Sequence, residues 1–328
     1  MDLGCATAKG SENGRYLTQA IPWAAHVTLV QRKKGGWGVM YDANSVGKWR
    51  RHMIRDIIVN LNVAKNDSAV ANYAASVAAA LQAHLTAVAF VYDPVVPISD
   101  GGYIPAQVIQ TQRVENENAA EAAIKGFSAA TNKAGISAEP LKLSASLAGA
   151  ADQFARMARH FDFAIVGQGQ SEMSTMEQII GEAVLFDSGR PMVMVPYIQK
   201  MPFKIDNVMI CWDGSRAAAR AVADALPLLE RGSRVEIVMI TNERGKQYDI
   251  ESADIGQHLA RHGFKVEVQQ LPGGDIDVAD ALLSHAADSS TDFMVMGGYG
   301  HSRLREFVLG GVTRSIFQSM TVPVLLSH

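Results

Sequence analysis

The feature that most constrains this 328-residue chain is an internal repeat. Asp56-Ile-Ile-Val-Asn-Leu-Asn62, an Ala-rich helical stretch over 68–82 and an apolar strand over 85–92 are answered by Asn207-Val-Met-Ile-Cys-Trp-Asp213, a helical stretch over 215–229 and a strand over 234–241. Further on, Asp162-Phe-Ala-Ile-Val-Gly167 parallels Asp292-Phe-Met-Val-Met-Gly297, and Arg190-Pro-Met-Val-Met-Val-Pro196 parallels Val322-Pro-Val-Leu-Leu326. A chain that repeats at this period builds one supersecondary unit twice.

The offset between copies is 151 at Asn62 and Asp213 but 130 at Gly167 and Gly297, so the first copy carries about 21 extra residues, placed within 93–118. Pro94, Pro97, Gly101, Gly102 and Pro105 make that region a loop leading into a longer helix. Each copy alternates short apolar runs with helices of three to four turns, the signature of βαβ crossovers on a parallel sheet with helices on both faces. In the second copy the five strands are read at 208–211, 235–240, 265–270, 293–296 and 322–326. The expected fold is therefore α/β, two tandem doubly wound five-stranded parallel sheets, with repeats at 53–200 and 201–328. In such sheets ligands bind beyond the carboxyl ends of the strands, and Asp213 and Gly297 both fall just past strand ends.

Residues 1–52 differ in character. They hold eight Lys or Arg against three acids, +5, which leaves −8 on the remainder of a chain whose net charge is −3. The apolar piece 21–30 is interrupted by His26 and Thr28 and has no basic region ahead of it, so it makes a poor signal peptide. A targeting arm is one reading. The one preferred is a disordered extension or an over-long translation start, since Met53-Ile-Arg-Asp-Ile-Ile-Val looks like a natural beginning. No apolar run approaches the ~20 residues needed to cross a bilayer. The charge balance argues against nucleic acid as the main partner. Cys5 and Cys211 match no disulfide framework or metal spacing, which suits a reducing cytoplasm.

The glycines are the richest local signal. Gly297-x-x-Gly300 is followed by nine residues and then Gly310-Gly311, reading as strand, loop and helix start. Glycines there permit close backbone approach, and a helix beginning near Val312 turns its N-terminal dipole toward an anion. Over 297–314 the second repeat has Arg303, Arg305 and Arg314 against Glu306 alone, a favourable field for a triphosphate. The first repeat over 167–189 has Glu172, Glu177, Glu182 and Asp187 and no Lys or Arg, and puts Gln170 at the expected glycine, Gly181-Glu182 at the second pair and Asn62 opposite Asp213. It is read as degenerate for a polyphosphate.

The repeat and this spacing together resemble the universal stress protein family in its tandem form. The family pattern is G-x-x-G, nine residues, then G and Ser or Thr; Gly311 stands here where the hydroxyl belongs. The resemblance covers 53–328 and implies an adenine-binding fold of Rossmann-like type whose last strands pair across a dimer interface, met internally as a pseudo-dimer, with pairing between chains as the other use. It implies ATP, with Mg2+, and carries the site onto Asp213, Ile240, Met296, Gly297, Gly300, Ser302, Arg303, Gly310, Gly311, Val312 and Thr313. It implies a cytoplasmic, stress-linked regulatory protein without efficient catalysis. Slow ATP hydrolysis or self-phosphorylation on Ser302 or Thr313 stays open.

Competing readings attach to several residues. Gly297 and Gly300 can simply form a tight turn that lets strand and helix pack, and Asp213 can cap the following helix through Ser215. Trp212 either walls an adenine pocket or packs in the core. His301 lacks a partner that would make it a general base. His258 and His262, four apart on a helix, are read as a solvated face rather than metal ligands. Cys211 is expected to be buried and inert. There is no G-x-x-x-x-G-K-[ST] loop and no set of metal ligands to activate water. The alternatives to a nucleotide-binding regulator are an interaction scaffold of the same fold and, third, an adenylating or electron-transfer enzyme.

Overall fold

The computed structural model describes residues 7–11, 14–21, 24–31, 37–41, 54–61, 63, 69–94, 106–169, 176–229, 233–241, 248–273, 277–298 and 311–328. The chain divides into two compact units, Met1–Met53 and Ile54–His328.

The N-terminal unit holds four strands, β1 (Thr7–Ser11), β2 (Gly14–Ile21), β3 (Ala24–Gln31) and β4 (Trp37–Tyr41), paired antiparallel in that order. This departs from the disordered arm expected for 1–52. The strands draw on β-branched and aromatic residues such as Tyr16, Thr18, Val27, Thr28 and Val30.

The larger unit is the two repeats on one ten-stranded sheet. The first contributes β5 (Asp56–Asn60), α1 (Ala69–Leu81), β6 (His84–Tyr92), α2 (Ala106–Ala134), β7 (Ala138–Ala145), α3 (Leu147–Ala158), β8 (Phe163–Gly167), α4 (Met176–Ala183), a π-helical turn (Val184–Ser188) and β9 (Met192–Val195). The second contributes β10 (Asn207–Cys211), α5 (Arg216–Ala225), β11 (Arg234–Thr241), α6 (Tyr248–Arg261), β12 (Lys265–Pro272), α7 (Val278–Asp288), β13 (Phe293–Gly297), α8 (Gly311–Ser319) and β14 (Val324–Ser327). The strand order is β12-β11-β10-β13-β14-β9-β8-β5-β6-β7, and every pairing is parallel except β14 with β9. The expected five strands per repeat and the pairing of last strands are both present, with Val324, Leu325 and Leu326 opposite Met194, Val193 and Met192. The extra residues of the first repeat lengthen α2 to 29 residues, against 14 in α6.

Central strands are buried on both faces, which is why they read as unbroken apolar runs. Ile57, Val59, Phe293 and Val295 pack under α1 and α5 on one face, while Ile58, Met294, Val324 and Leu326 pack under α3, α4, α7 and α8 on the other. The repeated Asp before the fourth strand has a structural reason: Asp162 Oδ2 accepts from the backbone N–H of Arg55 (2.6 Å) and Asp56 (3.0 Å), and Asp292 Oδ2 accepts from Asn207 N–H (3.0 Å). Each clamps the start of the neighbouring first strand with a charge-assisted bond. The repeated prolines sit at strand starts, where no N–H is needed, and their carbonyls accept from Ala164 (Pro191, 3.2 Å) and Met294 (Pro323, 2.9 Å). Between the repeats Phe203 stands edge-on to Tyr73 of α1 and to Phe293 of β13, with ring centroids 6.1 and 6.0 Å apart, and its N–H donates to Ser76 Oγ (2.8 Å).

Candidate nucleotide site at the ends of β10 and β13

Within the second repeat the chain runs outward from β10 to β11 and β12, then returns to place β13 on the other side of β10. The winding direction therefore reverses between β10 and β13, the position where open α/β sheets form a crevice. Cys211 and Met296 stand opposite each other at the carboxyl ends of these strands, and Asp213 and Gly297 follow them directly. Residues 84 apart in sequence are thereby brought to one edge.

Asp213 is exposed, and its Oδ1 accepts from Ser215 N–H (2.9 Å). Ser215 in turn caps α5, its Oγ accepting from Ala218 N–H (3.1 Å). The capping role is thus real, and it leaves the carboxylate at the crevice edge. Trp212 continues the ladder, its N–H donating to Val238 O (2.9 Å), and its half-buried ring packs against the core under α5 with the indole N–H enclosed. Burial first, then the nearby Asp213 carboxylate, push the Cys211 thiol up to about 12, so it stays protonated and unreactive. Ile240 lies one place before the end of β11, partly buried, and Met296 is buried in β13.

Gly297 has a steric reason of its own. A Cβ there would fall 2.6 Å from the Ala217 carbonyl carbon and closer still to Ala218 N, so only glycine lets β13 approach the first turn of α5. Gly311, the first residue of α8, is the opposite case: it is exposed, and among the described residues a Cβ would meet nothing within 4 Å. The first turn of α8 contains no acidic residue, and a helix start of this kind turns N–H groups and the positive end of its dipole outward. Val312 is partly buried. Thr313 is only 3% exposed. Gly300, His301, Ser302, Arg303, Arg305 and Gly310 lie outside the described residues.

The corresponding edge of the first repeat is built differently. Gly167 ends β8 against α1 as Gly297 ends β13 against α5, with a Cβ falling 2.6 Å from Val70 Cγ2. The next residue, Gln168, is buried, whereas the second repeat has Gly298. Helix α4 starts early enough that Gly181 lies inside it, packed on Met194, and its first turn carries Glu177, itself buried. That helix supplies its own negative charge. Asn62, Gln170 and Glu172 lie outside the described residues. Sequence reasoning had no place for Gln168, although aligning the repeats puts a large amide where the other copy has glycine.

His258 and His262 are exposed with ring centroids 4.8 Å apart, and among the described residues no three His, Cys, Asp or Glu are grouped to hold a metal ion. Among the same residues no helix is long and apolar enough to cross a membrane.

Residues 204–328 match the model of the universal stress protein family. A curated universal stress protein of Synechocystis sp. is 26% identical over 171 residues, covering 50% of this chain and 57% of that protein, so the chain spans little more than half the length of the curated relative it matches. A universal stress protein from Archaeoglobus fulgidus shares the fold with a TM-score of 0.62 at 18% identity, over 83% of this chain and 97% of that one. A functionally unknown protein from Pseudomonas aeruginosa does so at 0.53 and 14%, over 84% and 92%.

Proposed function

We propose, from the premise that this chain belongs to the universal stress protein family, that its second repeat binds an adenine nucleotide, ATP carried with Mg2+, in a regulatory and non-catalytic role, with the first repeat as its structural partner. The observation that carries this reading is the acid-free first turn of α8 in the repeat whose switch point sets exposed Asp213 past the end of β10. The base and ribose would lie toward Asp213, Ile240 and Met296, and the phosphates toward Gly311 and Val312, joined by Gly300, Ser302, Arg303 and Gly310 of the intervening loop. The metal would arrive on the phosphates, as Mg2+ commonly does. We place the protein in the cytoplasm on the same premise.

Mass spectrometry of nucleotide released from the purified, denatured protein tests the reading directly. ATP recovered at one per chain supports it; two per chain would contradict an empty first repeat. Titration calorimetry of Gly311→Asp adds a control, since an acid in the first turn opposes phosphate while leaving the helix start intact.

A second reading is an interaction scaffold that binds no nucleotide. It is favoured by the fact that Gly297 is fully accounted for by packing against α5 and that Thr313 is enclosed. Purified protein that releases no nucleotide and gives no heat with ATP would establish it.

A further inference from the structure

We propose that the first repeat grips Gly298 and helix α8 of the second, so that affinity at the second site is set partly by Gln168, Leu185 and Phe186; this rests on the nucleotide reading above.

Gly298 stands directly after β13, where its N–H donates to Ser327 O (2.8 Å) and His328 Nδ1 lies 3.1 Å from Gly298 O. A carbonyl only accepts, so the imidazole carries its proton on Nδ1 in this bond. Both groups are backed by the first repeat. Leu185 stands where a Cβ on Gly298 would reach it at 2.7 Å, and the Phe186 ring meets His328 edge to face, centroids 5.1 Å apart at 73°. Leu185 and Phe186 belong to the π-helical turn that follows α4, the kind of single-turn insertion that re-aims side chains and recurs at functional positions.

At α8 the Gln168 amide crosses between repeats. Its Nε2 donates to Gln318 O (2.9 Å), one of the last carbonyls of α8 that the helix itself leaves unpaired, and its Oε1 accepts from Tyr197 N–H (3.2 Å). Gln168 is 2% exposed, so these bonds are made away from water. The grip runs one way, because the position matching Gln168 in the second repeat is Gly298, which has no side chain to return. A copy with no anion-accepting helix start of its own thus holds Gly298 and α8 of the copy that has one.

Holding Gly298 and α8 in place fixes the described groups that flank the site before a nucleotide arrives, and preorganisation of this kind appears as affinity. Coupling between binding and the π-helical turn is reciprocal by linkage.

The test uses the full chain with Phe186→Ala, Gln168→Leu and the conservative Phe186→Tyr. Phe186 is 45% exposed, so its truncation leaves the core intact. The readouts are the Kd for MgATP, the Tm without nucleotide, and amide hydrogen exchange over 311–319. Phe186→Ala and Gln168→Leu should each weaken MgATP about fivefold or more, speed exchange over 311–319, and leave the Tm of Phe186→Ala within about 2 °C of the parent. Phe186→Tyr should retain parental affinity. Unchanged affinity and exchange in both variants overturns the grip. So does lost affinity in Phe186→Ala that comes with a large fall in Tm and is not rescued by tyrosine. If the parent itself binds no ATP, the nucleotide proposal falls alone. The grip is then judged by exchange: faster over 311–319 in the variants sustains it, and unchanged overturns it.

Discussion

The two repeats share a frame and differ at its rim. Both clamp the first strand with an Asp before the fourth, Asp162 and Asp292, and both end that fourth strand on a glycine pressed against a helix, Gly167 and Gly297. Beyond those glycines they part. The first continues with buried Gln168 and a helix carrying Glu177 in its first turn; the second continues with Gly298 and a helix that opens on Gly311. Elements retained in both copies serve the sheet, while what differs lies at the carboxyl ends, where a ligand would sit. The glycine at the end of the fourth strand is thereby weak evidence for nucleotide, because the copy without a phosphate-accepting helix start has it too.

The sharpest way to break this comparison is to add one carbon to each matched glycine. Gly297→Ala drives Cβ into the backbone of α5, which cannot yield, and should cost about 3 kcal/mol or more by urea denaturation. Gly167→Ala meets only the methyl of Val70, which can turn aside, and should cost about 1 kcal/mol. Equal losses would mean the two packings are equivalent. Next come the clamps: Asp162→Ala removes two charge-assisted bonds and should cost about 3 kcal/mol, against about 1.5 kcal/mol for Asp292→Ala, which removes one plus an exposed Lys204 ion pair worth little. Nucleotide binding should then separate the rims. Gly311→Asp should weaken ATP at least about tenfold, or about 1.4 kcal/mol, without lowering Tm, whereas Gly311→Ser should tighten it about two- to threefold.

The smallest effect concerns Asp56, whose carboxyl is raised by burial first and by Asp162 and Glu139 after it, against an opposing pull from His84. A raised folded-state pKa means the folded protein holds that proton more tightly than the unfolded chain. Stability from this group is therefore greatest below the usual carboxylate range and declines as pH rises through the raised value. Asp56→Asn should raise Tm slightly, by about 1–2 °C, at pH 7 and leave it unchanged near pH 3. A larger gain at pH 3 than at pH 7 would reverse the assignment.

Most of the sheet was legible because its central strands are buried on both faces and punctuated by Asp, Gly or Pro, and the unequal offsets foretold the long α2. The four N-terminal strands were missed, because Met53-Ile-Arg-Asp-Ile-Ile-Val reads as a natural beginning and drew attention away from the β-branched runs before it. The π-helical turn left no signal, since one extra residue inside a helix needs no glycine or proline to mark it. The strand ends put Asp213 and Gly297 just past β10 and β13, as the spacing implied. That Gly297 is demanded by α5, that Thr313 is enclosed, and that Gln168 reaches across to α8 depend on contacts between distant segments, which spacing does not encode.

The antiparallel join of β9 to β14 also sets an order of events during synthesis. Met192-Val-Met-Val195 is an apolar strand whose outer edge stays uncovered until residues 324–327 have been made, some 130 positions later. Throughout that interval it is an open template for pairing with any other extended chain, including the same strand on a neighbouring nascent molecule. Residues 324–327 are therefore what covers this edge, and elongation through the second repeat is the interval in which it stands open.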